Sequence, residues 1–203
     1  MENHPRDLKS PMTNQRIGRK LLPAVQHRNT IEALVETGVI EEDLAAKWKA
    51  KMKEQKDMEE LLNKAEEGDG VAMFNVGIKY AHGLHGFKED GKLAFQWFKR
   101  AHEAGNVYGT ACLGECYLEG CGVARSNRGM AFIGIAAGQG SDLASYYLGM
   151  AFATGKYGMH VDKANAIRWL EKAAHQGCPY KHLNDDCKIE AQQKLDQLRA
   201  HSL

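Results

Sequence analysis

Residues 65–105 read AEEGDGVAMFNVGIKYAHGLHGFKEDGKLAFQWFKRAHEAG. Three marks in this stretch set the fold. Gly77 follows an aliphatic residue and stands three before the aromatic Tyr80, Gly83 comes soon after, and Gly105 closes the stretch. Each mark returns downstream. Gly114 and Gly149 repeat Gly77, Gly120 and Gly155 repeat Gly83, and Tyr117 and Phe152 repeat Tyr80, always at steps of 37 and 35 residues. A further frame, Gly68, Gly105, Gly140 and Gly177, steps by 37, 35 and 37. Four position classes that agree on one period mark an array of stacked repeats.

Each unit reads as two helices. In the first, Ala72, Val76, Gly77 and Tyr80 recur at helical spacing, and Gly83 supplies the stop. The second helix carries Ala94, Trp97, Phe98 and Ala101 on one face and ends at Gly105. Gly129, Phe132, Ile133 and Ala136 take those places in the second unit, and Ala166, Trp169, Leu170 and Ala173 in the third. Glycines at 77, 114 and 149 allow neighbouring helices to approach closely, and aromatics fill the space between layers. No such helix pair buries its apolar face alone, so the units must stack, and three units is about the smallest stable number.

These three units together, over roughly residues 65–177, resemble the Sel-1-like repeat family, a relative of the tetratricopeptide repeats with a longer loop between its two helices. The resemblance implies an all-α fold: an α-solenoid of three helix-turn-helix repeats with flanking capping helices. Two departures stand out. The second unit is two residues shorter between its stop glycine and the aromatic of its second helix than the other two. Gly129 also stands where the family usually has alanine, a change worth about 1 kcal/mol of helix propensity. Both departures lead us to expect the second unit to be the loosest.

The flanks complete a four-part layout. Residues 1–28 are moderately basic, contain Pro5, Pro11 and Pro23, and read as a flexible tail, with organelle targeting as the alternative. Residues 29–64 form a helical extension. One helix starts near Thr30 and stops at Gly38, and a charged helix from about Glu41 to Glu67 carries Leu44, Trp48, Met52, Met58, Leu62 and Ala65 as one stripe against the first repeat. Residues 65–177 hold the repeats. Residues 178–203 form a C-terminal capping helix, started by Asn184 or Asp185, with Cys187, Ala191, Leu195 and Leu198 on its dry side.

Bulk composition narrows the classes of function. Apolar residues make up 43% and charged residues 26% of the 203, enough for a packed core. A formal net charge of +1 provides no field for nucleic acid or an anionic membrane, so neither is expected as a partner. No apolar run approaches the roughly 20 residues of a membrane span. Five cysteines (112, 116, 121, 178 and 187) do not recur from unit to unit, which speaks for packed, reduced thiols and a cytoplasmic location.

Signatures of catalysis are missing: there is no P-loop, GxSxG elbow or HExxH motif. The glycine-rich run from Gly134 to Gly140 falls at a helix end, where it serves as a terminator. Cys112, Cys116 and Cys121 with His102 are the best zinc candidates, but they offer one close ligand pair where zinc sites have two. His82 and His85 read as loop histidines, and Lys47, Lys49, Lys51 and Lys53 sit among acids on a solvated helix face. We therefore expect no catalytic residue, cofactor or metal. Secreted bacterial relatives tied to β-lactam-type compounds have regularly repeating cysteines, which this sequence does not share.

The resemblance implies a protein-binding role. In tetratricopeptide-like superhelices the first helix of each unit lines the concave side. By offset from the repeat positions, the groove residues here are Phe74, Ile78 and His82, then Ala111, Glu115 and Glu119, then Tyr146, Met150 and Thr154. Apolar groups mixed with acids suit an apolar peptide with basic flanks. The alternative is that Phe74, Ile78, Tyr146 and Met150 pack against the preceding charged helix. The expected function is a non-enzymatic adaptor or scaffold holding a partner segment in the concave groove; the alternative is a structural subunit of a larger stable complex.

Overall fold

A computed structural model describes residues 21–174 and 185–200, with the side chains of 28–174 and 186–200. The chain divides into two compact units, Met1–Glu59 and Glu60–Leu203.

In the first unit, α1 spans Leu21–Glu36, so the helix expected from near Thr30 starts earlier, and residues 21–28 are helix where a flexible tail was expected. Pro23 falls in its first turn, where the missing N–H leaves no bond unmade. The helix stops at Gly38, whose φ of 70° suits a left-handed cap, and the Val39 N–H returns to the Leu34 carbonyl. Helix α2, Glu42–Glu66, begins with Glu42 and Asp43 at the positive end of its dipole. Asp43 also pairs with Lys47 one turn on, at 2.7 Å, and Lys47, Lys49, Lys51 and Lys53 are all exposed. Val35 and Ala45 are buried, but Leu44, expected in the apolar stripe, is 53% exposed.

The second unit contains the last turn of α2 and the repeats. The first helices are α3 (Gly70–His82), α5 (Val107–Glu119) and α7 (Asp142–Thr154). The second helices are α4 (Gly91–Glu103), α6 (Gly129–Gly138) and α8 (Lys163–Ala174). Each first helix opens on a side chain that accepts from its own first turn: Asp69, Asn106 and Ser141. Each closes on a left-handed glycine, namely Gly83, Gly120 and Gly155. The repeat glycines thus lie where the period placed them, and for a local reason.

Packing follows the same period. A Cβ on Gly77 would stand 2.6 Å from the Phe98 ring, on Gly114 2.9 Å from Ile133, and on Gly149 2.6 Å from Leu170. Phe98, Ile133 and Leu170 are all buried, so each glycine seats the large apolar residue of its own second helix. Trp97 is 2% exposed beneath the Arg100 guanidinium, which lies 4.2 Å from its ring. The same guanidinium reaches both Glu66 oxygens at 3.1 Å, holding the buried Ala65 and the last turn of α2 on α4.

In the second repeat, Gly129 marks a close approach of the two helices. A Cβ on Gly129 would fall 2.4 Å from the Gly114 carbonyl oxygen and 2.7 Å from Leu118 Cγ. At this point α6 lies so close to α5 that alanine does not fit. Past the third repeat, α9 (Asp185–Ala200) buries Ala191 and Leu195 in the core and ties Arg199 to Glu171, as a cap should. Gly177, Cys178 and Asn184 lie outside the described residues.

Candidate functional site

The first helices of successive repeats meet through a few specific side chains. Phe74 of α3 stacks on Tyr108 of α5, with ring centroids 5.2 Å apart. Tyr147 of α7 donates its hydroxyl to Glu115 of α5 at 2.7 Å. Tyr157, in the 3₁₀ turn Lys156–Gly158 after α7, donates to Glu119 at 2.7 Å. Phe74, Glu115 and Glu119 of the expected groove take part in these contacts.

Ile78, His82 and Glu115 come together. They line a cavity of about 320 Å³ with Phe98, Cys112 and Cys116, and Glu89 and Cys121 also border it. Glu119 stands in a separate, more polar pocket with Arg125, Asn127 and Tyr157. Phe74 is half-buried against Tyr108 and Phe98. Ala111 is fully buried, Met150 is half-buried, and the exposed Thr154 donates to the Met150 carbonyl.

Tyr146 does not line an open groove. It is 9% exposed, and its hydroxyl donates to Glu190 of α9 at 2.6 Å. The physical reason is that α9 packs on α7 and α8, where the first helix of a following repeat would lie.

The two groove acids differ in electrostatics. Glu119 accepts from Tyr157 and pairs with Arg125 at 2.7 Å, so its charge is matched. Among the described residues Glu115 is hydrogen-bonded only by Tyr147 and has no ion pair. Burial raises its pKa above the ordinary value; the Tyr147 hydrogen bond opposes this and the Glu119 charge adds to it. Tyr147 is pushed up in turn by burial and by the Glu115 charge. Burial and the bond to Glu119 push the Tyr157 hydroxyl up to about 12.

The thiols are quiet. Cys112, Cys116, Cys121 and Cys187 form no disulfide among the described residues, and burial is the main cause that raises all four, Cys116 to about 12. Such thiols stay protonated and are poor nucleophiles near neutral pH. His102 is engaged by Thr110, with Nδ1 3.0 Å from Oγ1, and lies edge-on to Phe132. Among the described residues no three histidine, cysteine, aspartate or glutamate side chains gather as a metal site, and no helix is long and apolar enough to cross a membrane.

Sequence reading missed Tyr108, Tyr147, Arg125 and Tyr157. Tyr147 sits one place beyond the marked position, and the Tyr146-Tyr147 pair was a visible cue. Tyr157 gave none, because it acts from an irregular turn with a φ of 58°.

Helix pairs stacked at a fixed period, with one face shared by the first helix of each, define an α-solenoid of short helical repeats. The family model of the Sel1 repeat matches residues 70–106, 112–140 and 142–178, just over half of the sequence, and the chain belongs to this family. Sel1 repeat proteins are typically non-catalytic protein-interaction scaffolds. A Sel1 repeat protein from Oxalobacter formigenes is similar in structure, with a TM-score of 0.53 and 31% identity over 68% of this chain and 98% of that one. A protective antigen of uropathogenic Escherichia coli with an SLR fold has a TM-score of 0.55 and 26% identity, over 72% and 33%. Two Arabidopsis thaliana proteins, the ERAD-associated E3 ubiquitin-protein ligase components HRD3A and HRD3B, are 34% identical over 82 residues and 32% over 117. Those stretches cover 40% and 57% of this chain, but only 12% and 18% of the relatives' own length.

Proposed function

We propose that the chain is a non-enzymatic adaptor that holds a segment of a partner protein on the face of α3, α5 and α7. The observation that supports this best is the mixture on that face. Phe74, Ile78 and Met150 pack at the edge of the core and stay half-exposed, beside a cavity whose Glu115 carboxylate has no ion pair among the described residues. Large apolar groups left partly exposed next to acids are the make-up of a binding surface. A cytoplasmic location belongs to this reading, on the cysteine spacing, which does not recur from unit to unit.

Affinity purification of the intact chain with mass spectrometry tests it. The wild type should recover a specific partner, and a Phe74→Ala/Met150→Ala variant of unchanged helicity should lose it. Equal recovery by both would sink the groove. Fractionation tests the location, and recovery from the endoplasmic reticulum lumen would refute it.

A second reading, a fixed subunit of a larger assembly, draws support from the names of the two plant relatives, both ligase components. Gel filtration of native extract separates the two. A single large species favours the subunit, and a mostly free chain favours the adaptor.

A further inference from the structure

The cavity between the first two repeats has one chemical peculiarity. Its walls are mostly apolar, from Ile78, Ala94, Phe98, Cys112 and Cys116, yet the Glu115 carboxylate stands among them. Ile78 and Met150 take the equivalent positions in the first and third repeats, so a carboxylate is introduced there only in the second. Tyr147, from the next repeat, holds one of its oxygens at 2.7 Å and fixes where the charge sits. Glu119, one turn away, is already matched by Arg125, whereas Glu115 has no ion pair among the described residues. Glu89 adds a second carboxylate at the rim, against which the cavity offers only His82 as a basic group.

A half-buried carboxylate without a cation disfavours the fold, because desolvation opposes its charge. A cation on a long apolar stem would meet both parts of the cavity at once, the stem against the walls and the head on the carboxylate. We propose that this cavity seats a lysine or arginine side chain of the bound segment, with its stem against Ile78, Phe98 and Cys112 and its charge on Glu115. The proposal rests on reading the α3, α5 and α7 face as the partner-binding face, and it names the chemistry of one anchor on that partner.

The test uses the full chain and two small probes, Nα-acetyl-lysine N-methylamide and its norleucine counterpart, which has the same stem without the charge. In an NMR titration the lysine probe should shift Ile78, Ala81, Cys112 and Cys116 saturably. Glu115→Gln, which keeps an acceptor for Tyr147, should weaken it about tenfold, and the norleucine probe should not saturate. Equal binding by wild type and Glu115→Gln, shifts at other residues, or no saturable shift would each overturn the assignment. The adaptor reading is judged separately, by partner recovery in Phe74→Ala/Met150→Ala, because neither residue lines the cavity. Lost recovery without probe binding removes the cavity anchor and keeps the adaptor; probe binding with unchanged recovery does the reverse.

Discussion

The second repeat and its two neighbours meet the same packing requirement in different ways. In the first and third, the second helix starts on an aspartate that accepts from its first turn: Asp90 from Lys92 and Leu93, Asp162 from Asn165. Those helices carry Ala94 and Ala166 at the inner position, both buried. In the second repeat the connection is two residues shorter, α6 is 10 residues long, Arg128 at its start makes no side-chain cap, and the inner residue is Gly129. By helix propensity alone this should be the weakest unit. Instead Gly129 approaches the Gly114 carbonyl within a space that a methyl would overfill. The two neighbouring repeats bury an alanine methyl at this position, whereas the second repeat leaves no room for one. A propensity penalty and a packing requirement can thus sit on one residue, and the sign of a substitution depends on which is larger.

The largest test of this contrast is Gly129→Ala. Although it installs the neighbours' residue and a better helix former, it should destabilise the chain by about 3 kcal/mol through overpacking against backbone. The reverse changes, Ala94→Gly and Ala166→Gly, should each lower stability by only about 1 kcal/mol. Urea denaturation followed by tryptophan fluorescence measures all three. If Gly129→Ala matched or exceeded the wild type, the close approach would not exist.

Next in size is a rescue. Inserting two residues after Ala124 restores the neighbours' connection length and should reduce the penalty of Gly129→Ala by about 1.5 kcal/mol in a double-mutant cycle. Strictly additive effects would show that loop length does not set the helix spacing.

The caps give a smaller contrast. Asp90→Ala and Asp162→Ala should each lower stability by about 1 kcal/mol, while Arg128→Ala should change it by less than about 0.5 kcal/mol. A comparable loss at all three positions would mean that Arg128 caps α6 after all.

The smallest effect is one of pH. Burial raises the Glu115 pKa above its ordinary value of 4.5, so the fold favours the protonated form. That contribution is fully present below the unfolded-state value and is lost as pH rises through the folded-state value. Glutamine at 115 stays neutral throughout, so the stability of Glu115→Gln relative to wild type should rise from about pH 4 to about pH 7. A flat difference across that range would show that the carboxylate is not desolvated.

Much of the fold was legible. The stops at Gly83, Gly120 and Gly155 act within a few residues of themselves, so their spacing located the ends of the first helices; the caps at Asp69, Asn106 and Ser141 are as local, but the repeat spacing did not mark them. The start of α1 was not legible, because Pro23 reads as a breaker in sequence and is harmless in a first turn. Of the expected groove, Ile78, His82 and Glu115 were brought into one cavity, and Tyr146 was taken by α9.

By itself, then, the sequence determined the period, the helix pairs, their ends and the family, because repeat spacing, capping and left-handed glycines are local properties of the backbone. Only the tertiary structure decided that Gly129 is required, that Tyr147 reaches Glu115 across 32 residues, and that Tyr146 reaches Glu190 across 44. Those outcomes depend on how closely layers stack, to within a fraction of an ångström, and helical periodicity along the chain does not encode that distance.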